Sequence, residues 1–390
     1  DLTFETQNLG RYLPYLADDK HTRGELRGRL DAKGLLLVPA ELQGDLSIDK
    51  LNIQTAGIKL RNRKKIALAV DGGAFEIIGC EITGPRSAFR VSGNGSLRQG
   101  PRLGAEGVID LGILAAMLDF MRRSAGSAKV ELAVKGGWSD LQLEGSASFD
   151  ADFLRIKGFS QDLSKVSGRL RFTPAFVEVT RLSGHLGGGK FSGLGSIRLD
   201  GFAPRKLMLS FDVDRVRYQV SDDLWGIVSG GLSLTGSPAD GVRIEGQLTV
   251  DEGGFREKYT LASLSQGIFR RRLAETRTYS EKREILAFGL RLDIPDNFKV
   301  DYNLGLMNFK AEMRGELRVT GTNERLGLLG EMEAIDGTLN YLTKDFELNS
   351  TRVQFTDEFS IVPGVDVMAT RREVVERLEE AGGETEYRID

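Results

Sequence analysis

Residues 206–214 read KLMLSFDVD. Leu207, Leu209, Phe211 and Val213 share one face and Ser210, Asp212 and Asp214 the other, the two-residue period of a strand with one dry and one wet side. The pattern continues toward the C-terminus in Leu232/Leu234, then in Val242, Ile244, Leu248 and Val250 set against Arg243, Glu245, Gln247 and Thr249. Leu286, Phe288, Leu290, Leu292 and Ile294 make a longer stripe, followed by Leu317/Val319, Val353/Phe355 and Val365/Val367. Toward the N-terminus it recurs in Leu170/Phe172, Leu154/Ile156, Leu141/Leu143, Val130/Leu132/Val134, Phe89/Val91, Ile58/Leu60 and Leu46/Ile48.

Between these runs lie short polar and glycine turns: Asp71-Gly72-Gly73, Gly136-Gly137, Gly187-Gly188-Gly189, Asp240-Gly241 and Asp336-Gly337. Glycine supplies the positive φ of a tight reversal, so each predicts a hairpin. Short reversals imply mainly antiparallel neighbours, because a parallel crossover needs a dozen or more residues. The turns delimit roughly two dozen strands, against a usual limit of about ten for an open twisted sheet before it curls or splits. Glycines also fall inside strands, in RVSGNGSL (90–97), KFSGLGSI (190–197) and RIEGQL (243–248), where they permit bulges or sharp bends. Repeated at similar places in successive hairpins, they would put a fold line down the sheet. The expected fold is all-β: a long, curled, mostly antiparallel sheet with an open groove and one or two short helices.

Two segments break the strand period. In DLGILAAMLDFMRR (110–123), Leu111, Leu114, Ala115, Leu118 and Met121 stand at helical spacing, with Asp110 as N-cap, Arg122/Arg123 in the last turn and Gly126 beyond. In 257–277, Leu261, Leu264, Ile268, Phe269 and Leu273 alternate with Lys258, Arg270, Arg271, Arg272 and Arg277, a basic amphipathic helix or loop suited to covering the β body or resting on a membrane surface. The expected organisation is β repeats over 1–110, a helix over 111–126, groove repeats over 127–256, the amphipathic segment over 257–280 and a final β region over 281–390.

Composition narrows the function. The 390 residues include 48 glycines, well above the average usage of about 7%, and the chain lacks the periodicity of collagen or the bias of disorder. Lys and Arg total 53 and Asp and Glu 56, for a net charge of −3, and their fine mixing offers no field to attract nucleic acid or an anionic membrane. A single Cys80, with His21 and His185 as the only histidines, forms neither an internal disulfide nor a Cys/His zinc site. The chain opens DLTFETQNLG without a signal sequence and has no apolar run of about 18 residues. It reads as a piece of a longer protein whose targeting or anchoring segment lies elsewhere.

Candidate chemical sites are weak. GGKFSGLG (188–195) and GNG (93–95) resemble phosphate loops only in glycine content, since strand alternation resumes at once on both sides and no helix follows. His185 sits in a glycine-rich turn near Glu178 and Ser183 without triad or metal spacing. The carboxylates fall on the wet phase of their strands, as Asp150/Asp152 and Asp212/Asp214 do. Trp138 and Trp225 are isolated and read as packing residues, not as a stacking platform for single-stranded nucleic acid. No catalytic residue, metal or cofactor is expected.

What remains is the apolar face. In a closed sandwich it would be core; in an open trough it would be an aggregation hazard unless something apolar filled it, and lipid tails are the obvious occupant. At ~0.8 kcal/mol per methylene, exposing an acyl chain of about 16 carbons to water costs on the order of 12 kcal/mol. A continuous apolar groove removes most of that barrier and needs no catalytic group. The expected lining is Leu170, Phe172, Leu207, Leu209, Phe211, Val213, Leu232, Leu234, Val242, Ile244, Leu248, Val250, Leu286, Phe288, Leu290, Leu292, Leu317, Val319, Val353, Phe355, Val365 and Val367.

Residues 285–390 permit a family comparison. They contain a strand with Ile294-Pro295-Asp296-Asn297, the strand Gly315–Gly321, a GEMEAIDGTLNYL hairpin within 328–342, an FELNSTRVQF strand pair (346–355) and the PGVDVMAT strand (363–370). Upstream, GGLSLTGSPADGVRIEGQLTVDEGGF (230–255) repeats a strand, a turn and a strand ending in acidic-Gly-Gly. The region resembles the C-terminal region of TamB, the translocation and assembly module subunit, within the AsmA-like, bridge-like lipid-transfer group; the repeats of 24–200 are similar to AsmA-like repeats. The resemblance implies a β-taco body in the periplasm, inner-membrane anchoring by a segment outside this chain, and phospholipid transport toward the outer membrane. It also implies, as an alternative, scaffolding of outer-membrane β-barrel proteins with a TamA-like partner. A secreted β-helical carbohydrate enzyme is the third alternative; it requires carboxylates converging in one cleft.

Overall fold

The computed structural model describes residues 2–6, 23–34, 43–55, 58–117, 121–156, 161–201, 203–237, 240–258, 284–303, 305–376 and 384–389. Strand accounts for 85% of the structure, with almost no helix, as the alternation predicts. The chain forms two compact units, Asp1–Gly187 with Phe191–Leu209 and Gly188–Lys190 with Ser210–Asp390. The division falls in the Gly187-Gly188 turn, within the strand Gly189–Asp200 and within the strand Ala203–Gln219.

In the first unit, β1 (Leu2–Thr6), β2 (Arg23–Lys33) and β3 (Gln43–Thr55) form an antiparallel ladder. The two halves of β3 pair with β4 (Ile58–Asn62) and β5 (Ile66–Asp71), and both of these pair with β6 (Ala74–Gly84). β4 and β5 thus act as one long strand broken at its centre. Asn62 fills the break: its Oδ1 accepts from the Leu51 N–H at 2.8 Å and its Nδ2 donates to the carbonyls of Asp49 (3.1 Å) and Lys64 (2.9 Å). The antiparallel ladder continues through β7 (Ser87–Ser96), β8 (Gly100–Asp110), β9 (Met121–Gly137), β10 (Asp140–Ile156), β11 (Leu163–Phe172) and β12 (Phe176–Leu186). β13 (Gly189–Asp200) and β14 (Ala203–Gln219) follow.

Helix α1 occupies Leu111–Met117, between β8 and β9. The Asp110 Oδ1 accepts from the Gly112 N–H at 2.8 Å, the side-chain capping its sequence suggests. The helix is shorter than 111–126, because Arg122, Arg123 and Gly126 already belong to β9, where Gly126 pairs with Ala151. Pairing with β10 outweighs a helical continuation whose benefit is only a few bonds long.

In the second unit β15 (Leu224–Ser237) pairs antiparallel with β16 (Gly241–Lys258), and β17 (Leu286–Asn303), β18 (Met307–Gly321), β19 (Leu326–Tyr341), β20 (Lys344–Asp357), β21 (Gly364–Glu376) and β22 (Glu384–Ile389) follow as an antiparallel ladder. The exception is β16 with β17, which are parallel, Val242 beside Leu286 and Leu248 beside Leu292. Residues 259–285 separate the two strands in sequence, more than the dozen or so residues that a parallel connection needs. The expected amphipathic segment, 257–280, lies there and outside the described residues from 259 to 280.

Expected hairpins at Asp336-Gly337 and within 346–355 are single strands instead: Asp336 and Gly337 lie inside β19, and 346–355 inside β20. The reversal between them is at Leu342-Thr343. The signal that suggested a reversal marks a bend. Between Glu312 and Met313 the β18–β19 register shifts, with a further shift at Ile294/Phe298 between β17 and β18, one at Thr249/Gly253 between β16 and β17, and one at Leu348/Ser350 between β20 and β21. These irregularities lie near the strand centres, so a line of bulges crosses the unit; it does not run through the expected glycine Gly246, which pairs regularly with Leu290. In β17 it consists of exposed Pro295, Asp296 and Asn297, tolerated where the ladder is already interrupted.

Deeply buried side chains sit on this line. Val250 (5% exposed), Ile294 (3%), Met313 (1%), Met332 (5%) and Thr351 (2%) each lie within two residues of their strand's midpoint. Val250, Ile294, Met313 and Met332 form one cluster with Ala311 and Leu317. A single sheet buries its mid-strand residues this way only if the flanking halves turn toward one another, so the curl is a property of the unit's own strands.

Candidate functional site

Cross-strand register turns the sequence stripes into rows on one face of β15–β20. Ile244 lies beside Leu234 and Phe288; Leu290 beside Gly246 and Val319, which faces Leu328; Leu292 beside Leu248 and Leu317. The line Leu317–Gly330–Phe355 continues the last of these, and Met332 faces Val353. Leu232, Leu234, Val242, Ile244, Leu286, Phe288, Leu290, Leu292, Val319, Val353 and Phe355 are half-buried, whereas Leu248, Val250 and Leu317 are buried. Thus part of the expected lining forms a packed floor and the remainder a partly open wall.

Glycines alternate with large side chains in these rows. Gly330 has a φ of 132°, and a Cβ there would collide with the Glu316 carbonyl oxygen. At other rows a phenyl ring occupies the space a Cβ would take: Phe298 over Gly253, and in the first unit Phe149 over Gly168 and Phe75 over Gly95. The glycine lets the sheet bend and the neighbouring ring restores apolar cover.

Beyond the floor lies a second wall that the stripe reading missed. Tyr302 pairs with Phe309, Phe309 with Leu339 and Leu339 with Phe346, while Phe255 pairs with Val300. Phe298, Val300, Phe309 and Leu348 pack against the same buried cluster as Leu292, Val353 and Phe355 do from the other side. Alternation resumes after each bulge, so Phe298/Val300/Tyr302 and Phe346/Leu348 were visible as short stripes, but the bulge hid their shared face.

The face opens at β21. Val365, paired with Val353, is 55% exposed and Val367, paired with Thr351, is 44% exposed. They are the most exposed of the expected lining. Phe359, Ile361, Val362 and Met368 are also exposed around them.

In the first unit Leu170 and Phe172 are half-buried in rows with Ala147 and Gly145 on β10 and with Val179 and Val177 on β12. Leu207 and Leu209 are half-buried in β14; Phe211 and Val213, also half-buried, belong to the second unit. Another part of the first unit's apolar face is occupied by the chain itself. Ile113 of α1 joins Leu60, Ile66 and Ile82 in a buried cluster, with Cys80 and Phe89 packed against it. Burial raises the Cys80 thiol's pKa above its ordinary value, which keeps it protonated and unreactive at neutral pH.

The opposite face is wet and charged. Arg314 Nε donates to Glu333 at 2.7 Å and Arg352 Nε lies 2.6 Å from Glu331. These are exposed pairs that contribute little stability. His185 lies within β12 opposite Ser164, half-buried and not in a turn, and Trp138 is a 53% exposed turn residue whose Nε1 donates to the Ser96 carbonyl at 3.0 Å. Neither is placed as its local sequence suggested, because the flanking glycines extend the strands. Among the described residues no group of three or more His, Cys, Asp or Glu is arranged to hold a metal ion, and no helix is long and apolar enough to cross a membrane.

No curated protein and no solved structure matches the chain. The TamB C-terminal domain matches residues 178–382, from β12 to just beyond β21. That span covers over half of the sequence, including the bent strands, their mid-strand floor and both apolar walls. The chain belongs to the TamB family.

Proposed function

We propose that the chain is a non-enzymatic conduit that shields phospholipid acyl chains in its apolar β groove as they cross the periplasm between inner and outer membranes. Family membership supports a role in envelope assembly or lipid transport. The observation that carries the finer reading is the graded burial of one face: a sealed floor at Met313 and Ile294, half-buried walls such as Leu290 and Phe288, and an exposed end at Val365. A closed core would bury the walls as deeply as the floor; walls left half-open favour an apolar occupant. Acyl chains need such cover and no chemistry, so the charged face serves only to keep the body soluble.

The test is lipid co-purification. Organic extraction and mass spectrometry of the purified chain should detect bound phospholipid, and Phe288→Asp should remove most of it while leaving the circular-dichroism strand signal intact. Wild-type amounts of lipid on the folded Phe288→Asp protein would overturn the reading.

A second reading, scaffolding of outer-membrane β-barrel proteins with a TamA-like partner, is favoured by the edge of β21. Among the described residues, Gly364–Thr370 pairs with β20, whereas β22 begins pairing only at Arg371. An edge with exposed Val365, Val367 and Met368 suits strand addition. Photocrosslinkers on β21 would then capture unfolded barrel strands in preference to lipid.

A further inference from the structure

The apolar face of the first unit is filled along one half and open along the other. Toward the turns at 72–73 and 138–139 it runs in register from Leu46 to Leu68 and Ile77, and through Gly93 to Leu103, Val134 and Leu143. All six of these large side chains are half-buried. Toward the opposite strand ends the rows hold Ile53 beside Leu60 and Ile82 beside Phe89, and there α1 covers the face. Both halves belong to one side of the sheet, because Leu103 and Ile109 share a phase of β8, whose pairing with β7 and β9 has no register shift.

The cover is close and fastened. Ile113 is buried with Leu60, Ile66 and Ile82, and Ile53, Phe89 and Ile109 pack against the cluster. No gap separates the helix from β4, since a Cβ on Gly112 would lie 2.8 Å from the Ile58 Cδ1. At the helix start the buried Asp110 carboxylate accepts from Arg86 Nε at 2.9 Å, and the Asp110 N–H donates to the Ser87 Oγ at 2.9 Å. Ser124 Oγ, near the start of β9, donates to the Leu111 carbonyl at 2.7 Å. Seven residues form too few internal bonds to hold a helix by themselves, so these contacts keep α1 in place.

We infer that α1 is a fixed plug standing where acyl chains would otherwise lie, and that lipid passing over β3–β8 is confined to the half of the face that runs through Leu68, Ile77 and Leu103. This rests on the conduit reading and assigns it a path. Ile113 gives Leu60 and Ile82 the apolar cover that methylenes would otherwise give. The half-buried row from Leu46 to Leu143 leaves that role to the lipid.

The test uses the unmodified full chain. It is incubated with vesicles of phosphatidylethanolamine and phosphatidylglycerol in which one acyl chain of the phosphatidylglycerol carries a mid-chain diazirine, irradiated and digested, and the adducts are mapped by mass spectrometry. Three half-buried residues from each half are compared, so that exposure alone does not separate them. Adducts at Leu46, Ile77 and Leu103 should exceed those at Ile53, Phe89 and Ile109 several-fold. Replacing residues 111–117 with an equal number of glycines and serines should erase the difference. If that protein does not fold, Ile113→Ser, which keeps the Asp110 and Ser124 fastenings, should reduce it. Equal labelling of both halves in the unmodified chain, or a difference undiminished in a folded variant, would overturn the plug and leave the conduit intact. Labelling at Leu290 and its neighbours in the second unit, with neither half of the first unit labelled, would do the same. No adduct on any apolar row of the folded protein would overturn both.

Discussion

Residues decide where this sheet bends. Gly330 is held at a φ that side-chain-bearing residues rarely adopt, with the Glu316 carbonyl where its Cβ would be. Gly330→Ala is therefore expected to destabilise the protein by about 1–3 kcal/mol, read as a lower urea midpoint; an unchanged midpoint would show that the strand accommodates a side chain there. Glycine inside a strand is legible in the sequence as a bend signal. Asp336-Gly337 is not, because the pair is equally good chemistry for a reversal, and only the Lys310 backbone and Leu348 side chain crowding Gly337 distinguish the two.

At the level of elements, long strands with central bulges replace the short hairpins that local signals suggest. A bulge moves the inward phase, so a stripe read up to Ile294 ends there in the sequence although the face continues at Phe298, Val300 and Tyr302. That is why the stripe before the bulge is legible from sequence and its continuation beyond the bulge is not. The start of β17 also has a local clamp. Asn323 Oδ1, in the turn after β18, accepts from the Ile285 and Leu286 N–H groups at 3.0 Å each, and Thr322 and Arg325 bond Glu284 beside them. Asn323→Ala removes two acceptor interactions worth about 1 kcal/mol apiece, and amide hydrogen exchange at Ile285 and Leu286 should quicken while the centre of β17 stays protected. Equal loss along all of β17 would mean that the clamp sets the whole register.

Over the whole molecule, most strands pair with their neighbours in sequence, so stability should behave as a sum of local terms, as in repeat proteins. Met313→Ala opens a cavity in the second unit's floor at a cost of about 2–5 kcal/mol. The resulting rise in hydrogen exchange should be confined to strands near β18 and be absent from β6–β9; a uniform rise throughout the chain would show a single cooperative unit instead. The sequence by itself determined the all-β class, the dry and wet faces, the bend-prone glycines and the family, because each is written in period-two alternation or in residue types with few backbone options. Tertiary structure alone decided which alternations join across a bulge, which pair runs parallel, which apolar residues become sealed floor and which stay half-open, and where α1 enters the face. Those outcomes depend on contacts between residues far apart in sequence, and local periodicity contains no term for the partner strand.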